Sequence, residues 1–206
     1  MMNRVQTGIL IFDDAGVLDF CGPFEVFSAA RLTEAKRREE PSPFDVFLVA
    51  ETDAAVTASG GMRVLPRHTF ETCPALDLLV VPGGWGTRRE VDNPRAIEWV
   101  AKQASGAKLV TSVCTGSFLL GRAGLLAGKR ATTHWASLDR MRAALPGVTV
   151  EDGLHWVEDG NVLTSAGIAA GIELAVVVAK LFGEAVARAT ARHMEYPFPE
   201  SNARRI

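Results

Sequence analysis

The chain carries no surplus of basic residues: 22 Lys and Arg stand against 24 Asp and Glu over 206 residues, a formal net charge of -2. Nothing in that balance neutralises a phosphate backbone, so nucleic acid is not an expected partner. Long apolar runs are missing as well. No stretch of about 18 or more apolar residues occurs, and Met1-Met2-Asn3-Arg4-Val5 does not open an apolar segment ending in a small-residue cleavage site. The expectation is a soluble protein of the cytoplasm with no membrane attachment. Cysteine is scarce: Cys21, Cys73 and Cys114 are odd in number and too far apart for a zinc knuckle or a redox pair, which fits a reduced compartment without disulfides. The histidines His68, His134, His155 and His193 never fall in a spacing such as His-Glu-x-x-His, so no metal site is expected. Pro82-Gly83-Gly84-Trp85-Gly86 has neither the spacing of a dinucleotide fingerprint nor a phosphate-cradling lysine after it.

What is present is an alternation of strands and helices. With 48% hydrophobic residues, the length suits one core, and a single domain over 1–206 is expected, with loose ends at 36–43 and in the polar tail 197–206. Short apolar runs at 5–12, 44–50, 76–81 and 108–113 read as strands covered on both faces. Short strands at 148–150, 156–157 and 162–164 follow, the last two joined by the turn residues Glu158-Asp159-Gly160-Asn161. Helices are expected from Pro23 to Leu32, after an Asn93 cap with Pro94 in the first turn, from Thr115 to Leu126, and from Ala166 to Phe182. The implied class is α/β, a sandwich around a mainly parallel sheet with right-handed crossovers.

In such a sheet the ligand site lies beyond the carboxyl ends of the strands. Three ends carry chemistry: the one leading to Asp19, the one ending at Pro82-Gly83-Gly84, and the one ending at Cys114-Thr115-Gly116. Cys114 sits at a strand-to-helix turn, where strained backbone and a helix start favour an ionised, nucleophilic thiol. Cys21 and Cys73 read instead as small buried hydrophobes. The Thr115 N–H is placed to meet developing negative charge. Asp19, among aliphatic residues, is either a carboxyl kept protonated and able to act as an acid, or the N-cap of the helix near Pro23. The glycines offer N–H groups to an oxyanion or form a plain turn. His134 reads as a core or interface histidine rather than a base, since no acid is near it in sequence to orient it. Phe20, Trp85 and Ile168 are expected to line the pocket.

Three segments together resemble the ThiJ/PfpI superfamily: Val17-Leu18-Asp19-Phe20-Cys21-Gly22-Pro23-Phe24, Val81-Pro82-Gly83-Gly84, and Ser112-Val113-Cys114-Thr115-Gly116-Ser117 with Ala123 through Trp135. Glu195-Tyr196 and its proline-rich sequel extend the likeness. Within the superfamily it is the bacterial isonitrile hydratases that the block from Cys114 to Trp135 resembles. The resemblance implies a flavodoxin-like three-layer sandwich, a homodimer, and hydration of an isonitrile to an N-substituted formamide without metal or organic cofactor. It assigns Cys114 the attack on the isonitrile carbon and Asp19 the proton transfer. Thr115 would tune that pair, and Gly83, Gly84 and the Thr115 N–H would frame the substrate. Relatives with protease or glyoxalase chemistry often carry histidine directly after the cysteine; Thr115 at that position argues against acyl transfer. Other readings are a cysteine-based redox sensor, a glyoxalase or deglycase, and a regulatory domain; the end at Ile206 leads to the expectation that no helix-turn-helix reader is attached.

Overall fold

The computed structural model describes residues 3–204. Its centre is a seven-stranded sheet of β1 (Val5–Leu10), β2 (Phe44–Ala50), β3 (His68–Thr69), β4 (Leu78–Val81), β5 (Leu109–Val113), β6 (Trp156–Asp159) and β7 (Val162–Ser165), in the order β6-β7-β5-β4-β1-β2-β3. All neighbours are parallel except β6 and β7, which form the hairpin expected around Gly160-Asn161. Leaving out the edge strand β3 and the hairpin strand β6, the remaining five strands follow one another across the sheet as second, first, third, fourth and fifth in the chain. That is the flavodoxin-like order, and its direction reverses between β1 and β4. β4 and β5 are buried along their whole length, as strands covered on both faces must be.

The helices are α1 (Val17–Ala29), α2 (Thr87–Glu90), α3 (Pro94–Gly106), α4 (Ser117–Arg122), α5 (Leu138–Ala144), α6 (Ala175–Phe182) and α7 (Glu184–His193). α1, α6 and α7 pack together on one side, α3 and α4 on the other, which makes three layers. Phe20 and Phe27 of α1 go fully under the layer, Phe27 against Phe44 with ring centroids 4.8 Å apart. Each such ring contributes about 1.5–3 kcal/mol by leaving water. α3 begins as its sequence requires: Asn93 accepts from the N–H groups of Arg95 and Ala96, and Pro94 occupies the first turn.

Three helices depart from the expectation. α1 starts at Val17, six residues earlier than Pro23, because the Gly16 N–H is tied to the Gly83 carbonyl at 2.9 Å and the chain turns at once into the helix. Pro23 therefore lies inside α1, and Asp19 lies in its first turn with Gly16 as the cap. The single helix expected over 166–182 is divided into a 3-10 stretch, Ile168–Leu174, and α6. The helix expected over 115–126 is likewise shorter: a 3-10 turn at Cys114–Gly116 leads into α4, which stops before Gly124 with its φ of 78°.

The tail folds onto its own chain. His155 N–H donates to the Asn202 carbonyl at 2.9 Å, and Asn202 in turn bonds the Trp156 backbone through both ends of its side-chain amide. Arg204 is drawn in among Leu154, Thr132 and Thr133. Among the described residues no helix is long and apolar enough to cross a membrane.

Candidate active site

The loops after β1, β4 and β5 meet at the topological switch point, as their position at the carboxyl ends of neighbouring strands dictates. Cys114 follows β5 directly with φ 56°, a left-handed conformation that costs a non-glycine residue about 1–3 kcal/mol. Three hydrogen bonds hold it there. Its N–H donates to Ala166 O at 2.7 Å, and its carbonyl accepts from Thr133 Oγ1 at 2.9 Å and Ser117 Oγ at 3.3 Å. Gly116 lets the turn press onto β4, since a Cβ there would stand 2.1 Å from Val81 O. The strained elbow read from the sequence is thus present.

The thiol's electrostatics run opposite to the expectation from the helix start. Burial pushes Cys114 up to about 11, and the Asp19 charge pushes the same way; the N–H groups of Thr115 and Ile168 and the Thr115 side chain act against both without cancelling them. Burial dominates because the thiol is 7% exposed, and Cys114 opens a 3-10 turn ahead of α4, whose six residues bring it little dipole. At neutral pH Cys114 is therefore held as a thiol. Cys21 and Cys73 are half-buried thiols against the core, both pushed upward by burial.

Asp19 lies beside the Cys114 thiol. Its carboxyl is 1% exposed; Oδ2 accepts the Gly83 N–H at 3.0 Å, while Oδ1 is buried without an ordinary hydrogen bond and the Cys114 thiol interacts with the carboxyl from beside it. Burial raises Asp19 to about 7 despite the lowering effects of Gly83 and Cys114. Of the two sequence readings, the N-cap is excluded, since no cap contact is made and the side chain faces the thiol.

Thr115 ties the β4 loop to the elbow. Its hydroxyl accepts from the Gly84 N–H at 3.1 Å and lies 3.2 Å from Gly84 O and 3.1 Å from Thr87 Oγ1, which donates to it. The two loop glycines consequently differ from their expected role. Gly83 N–H is spent on Asp19 and Gly84 N–H on Thr115, so these donors hold those two side chains in place instead of facing an oxyanion. The N–H groups that do face the sulfur belong to Thr115 and Ile168. Gly84 has φ 116°, and a Cβ on it would stand 2.4 Å from Asp14 O.

A cleft of about 700 Å³ opens above the thiol. Asp19, Gly84, Trp85, Cys114, Thr115, His134 and Ile168 line it, and so do Ser59 and Arg88, which the sequence reading missed. Trp85 and Ile168 are exposed, as pocket residues can be. Phe20 is not in the wall: it is 1% exposed in the core, because one step along α1 turns its side chain about 100° from that of Asp19. Gly83 lies behind the wall, with Thr115 N only 2.5 Å from where a Cβ would be. His134 reaches the cleft rather than the core. Its Nδ1 accepts the Ala136 N–H at 3.2 Å, and burial, then the charge of Arg204, hold its pKa below the ordinary value. Among the described residues no group of three or more His, Cys, Asp or Glu is arranged to hold a metal ion.

Comparison with known proteins places this geometry. The chain is 40% identical to the isonitrile hydratase of Pseudomonas putida over 193 residues, 93% of this chain and 78% of that protein. It is 35% identical to the HTH-type transcriptional regulator GbdR of Pseudomonas aeruginosa, over 58% of this chain and 32% of that one. A crystal structure of a ThiJ/PfpI family protein from Pseudomonas syringae superposes with a TM-score of 0.84 at 32% identity, covering 98% of this chain and 79% of the other. With the DJ-1/PfpI family model matching residues 6–181, the chain that builds this elbow and cleft belongs to the DJ-1/PfpI family.

Proposed function

We propose that this protein adds water to an isonitrile, giving an N-substituted formamide through a covalent adduct on Cys114. The observation that carries the reading is the buried Asp19 carboxyl, raised to about 7, beside a thiol held protonated. The 40% identity to a protein named isonitrile hydratase supports it. Near neutral pH the Asp19 carboxylate takes the thiol proton while Sγ attacks the terminal carbon of R–N≡C, and the Thr115 and Ile168 N–H groups stabilise charge on the sulfur. Asp19 then delivers the proton to that carbon, leaving R–N=CH–S–Cys114. Water adds to the same carbon and the C–S bond breaks; one water hydrogen ends on nitrogen, the other returns to sulfur by way of Asp19, and R–NH–CHO leaves. No redox partner or cofactor enters the balance.

A redox-sensing role calls for an exposed thiol of low pKa. Cys114 has neither property, which favours the hydratase reading. Glyoxalase or deglycase activity is tested by methylglyoxal consumption. The reading carries with it a cytoplasmic homodimer acting on a small molecule, and light scattering of the purified protein tests the dimer. For the reaction, the purified protein is incubated with an aryl isonitrile and formamide is followed. Production by wild type and loss in Cys114→Ala and Asp19→Asn supports the assignment; wild type no faster than the variants ends it.

A further inference from the structure

The wall of the cleft holds an arginine that no carboxylate pairs with among the described residues. Arg88 is in the wall with Cys114, its guanidinium over the Trp85 ring at 4.1 Å from the centroid. A second guanidinium, that of Arg140, is not in the wall; it lies over Phe118 at 4.0 Å, and its Nε is buried without a hydrogen-bond partner. Arg140 feels both neighbours. Burial and then the charge of Arg88 hold it below the usual arginine range, while Cys114 acts in the opposite sense. Among the described residues neither arginine pairs with a carboxylate, although Arg89, adjacent in the chain, pairs with Glu90 and Asp14.

Like charges brought together beside an unpaired buried donor cost free energy that a bound anion would recover. The flat faces of Trp85 and Phe118 fix the planes of the two guanidiniums, which is how arginine is prepared for a planar, bidentate acceptor. Asp19, also in the cleft, gives Oδ2 to the Gly83 N–H and makes no ion pair with either arginine.

We propose that Arg88 forms an anion subsite in the wall of the cleft, with the charge of Arg140 adding to it from outside the wall, and that the substrate is an isonitrile bearing a carboxylate held there while its terminal carbon meets Cys114. The isonitrile part rests on the hydratase reading; the anion subsite does not.

Two experiments separate the parts. Cys114 is alkylated at pH 6 with iodoacetate or with iodoacetamide, and its modification is followed by peptide mass. In each case the C–I bond breaks, the S–C bond forms, iodide leaves, and the thiol proton passes to solvent. Relative to a free thiol such as glutathione, Cys114 is expected to prefer the anionic reagent by about tenfold or more. Arg88→Gln and Arg140→Gln should each cut that preference at least about threefold, with Arg88→Lys retaining part of it. Arg88 is exposed, so its variants test the subsite even if Arg140→Gln fails to fold. A preference equal to that of glutathione, or one that Arg88→Gln leaves intact, overturns the subsite. In the second experiment kcat/KM is compared for a carboxylate-bearing isonitrile and its methyl ester. The acid should win by about tenfold, and the arginine variants should close the gap. An ester turned over as fast as the acid overturns the substrate assignment. If neither is hydrated, the hydratase reading fails, and alkylation still decides the subsite.

Discussion

Asp19 and Cys114 affect each other in opposite senses: contact with the thiol lowers the Asp19 pKa, whereas the Asp19 charge raises that of Cys114. The proton shared by the pair therefore sits on sulfur once Asp19 has ionised. The two groups titrate as a unit with steps near 7 and near 11, so that between these values the resting state is carboxylate beside thiol.

The pH profile follows. The carboxylate is the form that accepts the thiol proton, so kcat/KM should rise as pH increases through about 7 and then level. Below that value each pH unit should cost about tenfold. A profile flat from pH 5 to 8 would remove Asp19 from the base role.

Stability should move the other way. Asp19 is raised from 3.8 to about 7 by folding, so the folded state binds its proton more tightly than the unfolded state does. Its favourable contribution is full below 3.8 and is lost as pH rises through about 7. Asp19→Asn removes this titration while keeping an acceptor for Gly83. Urea unfolding should show the variant gaining on wild type between pH 4 and pH 8, by up to about 4 kcal/mol. A difference that does not vary with pH contradicts the burial argument.

Thr115→Val removes the acceptor of the Gly84 N–H and the contact with Thr87. A buried donor left unpaired costs about 1–3 kcal/mol, which urea midpoints should register. Thr115→Ser restores the hydroxyl and should recover most of that loss; no difference between the valine and serine variants would show the hydroxyl to be dispensable.

Arg204 acts on the site from the tail. Its guanidinium donates to Thr132 Oγ1 at 3.1 Å, Thr133 O at 3.0 Å and Leu154 O at 3.2 Å, and Thr133 holds the Cys114 carbonyl. Arg204→Ala should lower stability by about 1–3 kcal/mol and reduce kcat more than it alters KM. A variant with wild-type stability and kcat would show that the tail only covers the surface.

Much of this was legible in the chain because local signals and tertiary placement agree. β2 matches its apolar run residue for residue, and the hairpin closes where Gly160 permits a positive φ. Cys114 at an elbow and Asp19 near it followed from strand ends meeting at a switch point. What escaped was set by contacts far apart in sequence. The bond of Gly16 to Gly83 starts α1 early, and burial by three layers reverses the pKa that a helix start alone suggests for Cys114. The Gly83 and Gly84 N–H groups look free in sequence because their acceptors, Asp19 and Thr115, lie 64 and 31 residues away. Arg88 and Arg140 look like ordinary surface charges until their missing carboxylates are noticed.

The central claim, that the Asp19 and Cys114 pair hydrates an isonitrile, is tested most directly by formamide produced from an aryl isonitrile at pH 8. Wild type should form product catalytically, and Cys114→Ala and Asp19→Asn should each lose activity by about a hundredfold or more. Formamide formation by wild type that is no greater than that of Cys114→Ala would contradict it.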